Sequence, residues 1–327
     1  MKNLSLSAII ATVLLTGCQQ NEEFENSNNL QMSVEASIDN PNTSSRYAGD
    51  APNNTEFTNQ DAIGISVNSE DFVQWTFNGS NWNANQITNW NDKSSNHKFI
   101  AFYPYTQHAN LNSISMPNLS NQDGTMESVA TCDFLVTQKE QKYGENGTVS
   151  FTDDYAFNHV SSLVTINLKG EGELANATIT NISITGTDIL TPTTYSFTKA
   201  GEKESPITLN SEDENKKDLL SISPLHAMTS EGATFYFVLN PNTVELSNVK
   251  LSIKYTKTGD DEEGKEYLAE LVGLGTTDTN KFDSGKQYSY SLKIAGGLLV
   301  ITGNDIADWG TGLNLDDIVI NGSIITE

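Results

Sequence analysis

The chain has 327 residues, with 42 Asp and Glu against 18 Lys and Arg, a formal net charge of −24. That surplus argues against nucleic acid as a partner, while 36% hydrophobic residues suffice for a core built from burial alone. Abundant Asn, Thr, Ser and Gly with scattered Tyr and Trp point to a β-rich rather than a helical chain.

The first residues read as a processing signal. Lys2 supplies a positive start, and Leu4 to Leu15 is apolar. This run is shorter than the roughly 20 residues that span a hydrocarbon core, but it fits the apolar region of a cleaved signal peptide. It ends in Leu15-Thr16-Gly17-Cys18, which resembles the lipobox of bacterial lipoproteins. The resemblance implies removal of residues 1–17, lipid on the Cys18 thiol and acylation of the new amine, anchoring the chain to the outer membrane. The alternative is an ordinary secretory signal followed by an unrelated cysteine. Glu22, Glu23 and Glu25 resemble a surface-export signal. With Cys18 lipidated, Cys132 has no partner within the chain and no disulfide framework exists.

Gln19 to Asn29 is a polar tether. Leu30, Met32, Val34, Ala36 and Ile38 then alternate with polar residues, which predicts a strand with one buried face. The loop from Asp39 to Asn54 carries Arg46, the one arginine of the protein. In an exposed polar loop it is a cut site for an arginine-specific protease, or else a solvated residue without a role. Strands are predicted at Ala62–Val67, Val73–Phe77, Lys98–Tyr103, Cys132–Val136, Thr148–Phe151 and Val160–Leu168. Asn78-Gly79 suits a hairpin turn, with Trp82 starting the return. Further strands follow at Thr178–Ile184, Thr234–Leu239, Val249–Tyr255, Tyr267–Val272, Gln287–Ile294 and Leu298–Ile301. No 3.6-residue period persists over a full helix length, so helices are expected to be few and short. The pattern is all-β, with two β-sandwiches in tandem joined near residues 152–158.

Several segments together resemble the fimbrillin family. They are Phe57-x3-Asp61-Ala62-Ile63-Gly64, Phe99-Ile100-Ala101-Phe102-Tyr103-Pro104, Asp133-Phe134-Leu135-Val136 and Phe157-Asn158-His159. Gly285-Lys286-Gln287-Tyr288-Ser289-Tyr290 and Ile306-x-x-Trp309 complete the series. The resemblance covers nearly the whole mature chain. It implies two transthyretin-like β-sandwich domains, residues 47–155 and 156–310, behind a lipidated tether and removable first strand at 18–46. It also implies a pilus subunit delivered as a lipoprotein, cut by an arginine- or lysine-specific protease, and polymerised when a strand from another pilin fills the emptied groove. Residues 311–327 carry Leu313, Leu315, Ile318, Ile320, Ile324 and Ile325, an apolar tail that suits a donated strand or the last strand of its own sheet. A permanently anchored lipoprotein binding a glycan or a host or bacterial surface receptor is the other reading.

No enzyme is indicated. His97, His108, His159 and His226 fall in no metal-ligand spacing, and neither a nucleophile elbow nor a phosphate-binding loop occurs. His159 is expected to make a packing or hydrogen-bond contact. Gly259 to Gly264 reads as an acidic turn rather than a calcium site. Trp75, Trp82 and Trp90 are expected in the core rather than on sugars. No metal or other cofactor is called for.

Overall fold

A computed structural model describes residues 30–39, 56–144, 146–200, 205–210, 212–241, 248–257, 259, 264–271 and 281–309. Cys18, Arg46 and the tail from 311 lie outside them.

The chain is mostly β. Its first half builds a six-stranded sheet in the order β4 (Trp82–Ala84), β3 (Val73–Phe77), β2 (Ala62–Val67), β5 (His97–Tyr103), β7 (Leu135–Gln141) and β9 (Asn158–His159). The unbroken apolar run in β5 has a structural reason: its two faces enter different cores. Phe99 and Ala101 join Met32, Val34, Ile63, Ile65, Trp75, Trp82, Trp90 and Phe157 on one face. Ile100 and Phe102 join Ile114, Phe134, Val160, Tyr195 and Phe197 on the other. The second face demands Gly64, because a Cβ there would collide with the Phe102 ring.

Tyr195 and Phe197 come from the second half of the chain. There β12 (Thr193–Tyr195) pairs with β13 (Ile207–Leu209) and with β6 (Ile114–Ser115) of the first half. This three-stranded patch fastens the two halves across the back of the first sheet.

The second half forms two sheets that share one core. One runs β16 (Ala233–Leu239), β10 (Ser162–Leu168), β19 (Lys286–Ala295), β20 (Leu298–Asp308). The other runs β14 (Leu219–Ile222), β11 (Thr178–Thr185), β17 (Lys250–Thr256), β18 (Lys265–Glu270), with β15 (His226–Ala227) also on β11. Gly296 and Gly297, at φ 61° and 78°, make the turn between β19 and β20, the double positive-φ geometry of a tight hairpin.

Two sequence expectations shift. Cys132, expected to open a strand, closes the helix α1 (Met126–Cys132) instead. Thr125 caps that helix by accepting the Ser128 N–H, and Val129 and Cys132 bury into the second core. The last described strand, expected to stop at Ile301, continues to Asp308 because it pairs along the whole length of β19. Its polar composition hid that extension.

Candidate functional site: the first strand and its groove

The alternation at residues 30–38 becomes β1 (Ser33–Ala36), flanked by bridges at Gln31 and Ile38. Met32, Val34 and Ile38 are 4, 8 and 4% exposed, and Leu30 and Ala36 are half-buried against the same core. Ser33 and Glu35 face solvent. The period-two pattern therefore reports a strand with one buried face.

This strand is bonded along one edge and, at its start, along the other. On one side it runs parallel to β8 (Thr148–Phe151), with Ser33 opposite Thr148 and Ala36 opposite Phe151. The Ser33 and Thr148 hydroxyls meet at 2.8 Å. The ladder continues as Ser37 N–H donates to Phe151 O at 2.9 Å and Asp39 N–H to Phe157 O at 2.8 Å. On the other side Trp90 N–H donates to Leu30 O and Met32 N–H to Thr88 O, at 2.8 and 2.9 Å.

The dependence of β8 on this strand is the decisive geometry. Among the described residues β1 is the one strand with a backbone ladder to β8. Toward β7, β8 is held by side chains: Lys139 Nζ donates to Ser150 O at 2.6 Å and Gln141 Nε2 to Thr148 O at 2.7 Å. Burial lowers the Lys139 pKa, since desolvation disfavours its charged form. At the mouth of the groove Gly147 O accepts both Ser33 N–H (3.2 Å) and the Trp90 indole N–H (2.7 Å). Neither Gly147 nor the Thr88–Trp90 edge stood out in sequence. The Asn146-Gly147 turn pair before the β8 pattern was the available signal.

The motif residues collect around this groove and at its far end. The Phe57 ring packs edge-on against Trp82, Tyr103 and Phe157, with centroids 5.0, 5.6 and 5.3 Å away. Tyr103 O–H donates to Asp61 Oδ1 at 3.1 Å. Burial, then the Asp61 charge, raises the Tyr103 pKa. Beyond Phe157, His159 Nδ1 lies 2.8 Å from Asp133 Oδ2, both buried. The His159 ring stacks on Trp309 at 4.3 Å and 3°. Trp309 N–H donates to Gly285 O at 2.9 Å, and Gly285, at φ 71°, leaves a Cβ no room beside His159 O. His159 thus makes the packing and hydrogen-bond contacts expected of it.

Of the other side chains singled out, Trp75, Trp82 and Trp90 are buried. His97 is buried with Nδ1 3.1 Å from Ser95 O, and His226 is exposed beside Phe235. Among the described residues no three His, Cys, Asp or Glu side chains stand together as metal ligands, and no helix is long and apolar enough to cross a membrane. The Gly259 to Gly264 turn lies mostly outside the described residues.

The fimbrillin-like family model matches residues 49–309. The chain belongs to the fimbrillin-like family. Among solved structures, this fimbrillin-like chain superimposes on a candidate cell adhesion protein from Bacteroides uniformis with a TM-score of 0.58 and 19% identity. The match covers 86% of this chain and 98% of that one. A second candidate cell adhesion protein, from Bacteroides ovatus, gives 0.53 and 18%, covering 86% and 97%. These matches establish a shared fold. No curated protein sequence matches the chain. The family match begins beyond both the first strand and Arg46.

Proposed function

We propose that this fimbrillin-like protein is a structural and adhesive subunit of a cell-surface fimbria, polymerised by strand exchange. In this reading the chain is exported as a lipoprotein anchored through Cys18. An arginine-specific protease then cuts after Arg46, and the first strand leaves its groove. A strand from the tail of another subunit, within residues 311–327, takes its place. Residues 47–155 and 156–310 act as the two sandwich domains of the subunit.

One observation carries the reading. The first strand supplies three core side chains and the only described backbone ladder of β8, so its loss would leave an apolar groove beside an open strand edge. Such an edge is a template for strand addition. Arg46 follows the strand, so one cut there severs it from the body while it stays joined to the lipid.

The test is digestion of the full chain with an arginine-specific protease, followed by electrophoresis without boiling. A heat-labile ladder supports the proposal, and Arg46→Ala should abolish it, as should deletion of residues 318–327. Palmitate labelling that disappears in Cys18→Ala checks the anchor. A chain that stays intact, lipid-bound and monomeric would favour a permanently anchored surface lipoprotein, and a cut chain that never forms a ladder would refute strand exchange.

A further inference from the structure

The inward side chains of β1 differ in size, and their order identifies which stretch of the tail fits. Reading inward positions in order, the groove holds Met32, Val34, Ala36 and Ile38: large, large, small, large. Ala36 is the small member, half-buried opposite the fully buried Phe151 in the ladder. The tail reads Asp316-Asp317-Ile318-Val319-Ile320-Asn321-Gly322-Ser323-Ile324-Ile325. At every second residue it offers Ile318, Ile320, Gly322 and Ile324, which repeats the same order of sizes in the same direction.

Resting on the strand-exchange reading above, we propose that Ile318, Ile320, Gly322 and Ile324 of a second copy occupy the places of Met32, Val34, Ala36 and Ile38, parallel to β8, with Gly322 fixing the register.

The competing placements fail on chemistry. Starting at Leu313 puts the Asp317 carboxylate at the place of Ala36, beside the apolar core. Charge there costs far more than a methyl group gains. The frame Val319, Asn321, Ser323, Ile325 buries two polar side chains. Running the strand the other way puts Gly322 where the buried Val34 stands, leaving a void in the core. A glycine inside an otherwise aliphatic strand also marks a place where another group approaches closely.

The register sets the spacing between subunits. Trp309 is held by Gly285 O and by the His159 ring. Trp309 and Ile318 are nine residue steps apart and so at most about 32 Å when extended. The donor's Trp309 therefore stands within that reach of the acceptor's Thr88–Trp90 edge.

Cysteine pairs test this in the full chain. Val319 takes the place of Ser33, whose hydroxyl meets that of Thr148 at 2.8 Å, so Thr148→Cys with Val319→Cys should cross-link between subunits. Asn321 takes the place of Glu35, opposite Ser150, so Ser150→Cys with Asn321→Cys should cross-link as well. Thr148→Cys with Asn321→Cys, one repeat out of register, should not. Each variant is cut with an arginine-specific protease, oxidised, and run boiled without reductant. A boil-resistant ladder from the first two pairs, absent from the third, is expected. Gly322→Leu should slow ladder growth about tenfold or more, whereas the outward Ser323→Leu should not. A heat-labile ladder that cross-links only through the third pair would overturn the register and leave strand exchange standing. The Asn321-Gly322 pair also suits a turn, and a tail folded there would leave the second pair unlinked, which likewise overturns the register. A complete absence of ladder overturns both.

Discussion

Met32→Ala tests how firmly the first strand is held. Met32 is 4% exposed within the first core. Truncating a buried methionine costs about 2–5 kcal/mol, from lost burial and the cavity left behind. Together Met32, Val34 and Ile38 contribute about 5–9 kcal/mol of gross burial, partly offset by the entropy of ordering the segment. In the uncut chain the substitution lowers the unfolding free energy by its own amount, read as a lower urea midpoint at unchanged slope. In the cut chain the same loss falls on strand retention. At 1.4 kcal/mol per tenfold, about 2–5 kcal/mol makes release of the N-terminal fragment some 30-fold to several thousand-fold faster. The assay is gel filtration at set times after cleavage, with mass spectrometry of the folded fraction for the fragment. Glu35→Ala, on the exposed face of the same strand, should leave the rate near wild type because surface substitutions shift stability by about 0.5 kcal/mol at most. Equal release rates for Met32→Ala and Glu35→Ala would refute the reasoning, since the buried face would then not be what holds the strand.

Further outcomes follow from other parts of the molecule. His159→Ala removes the Nδ1 contact to buried Asp133 and the ring beneath Trp309; it should cost about 1.5–3 kcal/mol by urea unfolding, and a loss below about 0.5 kcal/mol would show the pair to be dispensable. Gly64→Ala forces a methyl group into the Phe102 ring and should cost about 1–3 kcal/mol, with Ser66→Ala in the same strand as the comparison for a change that adds no bulk. Burial pushes the Tyr195 and Tyr288 hydroxyls up from 10.0 to about 12. Their folded pKa values lie above the unfolded ones, so their stabilisation is complete below pH 10 and is lost as pH rises toward 12. Urea midpoints should therefore fall over that window, and Tyr195→Phe should flatten part of the fall; an unchanged slope would remove Tyr195 from the account.

Much of this fold was legible because its strands carry strong one-faced or two-faced patterns. The Leu30 to Ile38 alternation marked a strand with one buried face, and the apolar run at Lys98–Tyr103 marked a strand whose two faces the structure places in different cores. Less was legible where partners decide the outcome. Strands β12 and β13 are three residues each, too short for a period, and exist because β6 and the back of the first sheet receive them. The 302–308 part of β20 is polar and strand-like only through its pairing with β19. Cys132 followed a β-like local composition, but the Thr125 cap and the second core drew its segment into a helix. At the candidate site, Met32, Val34 and Ile38 could be named from sequence, whereas the dependence of β8 on them could not, because a ladder partner 115 residues away leaves no local trace. Gly147 carries two hydrogen bonds through its backbone alone, which side-chain reasoning does not see.

The most direct test of the central claim is amide hydrogen exchange at β8, Thr148–Phe151, followed through cleavage and assembly. Protection should be high in the uncut chain, fall when the first strand is released after cleavage at Arg46, and return as the ladder forms. Protection that stays unchanged while the ladder grows would contradict the account, because the acceptor edge would then lie somewhere other than β8.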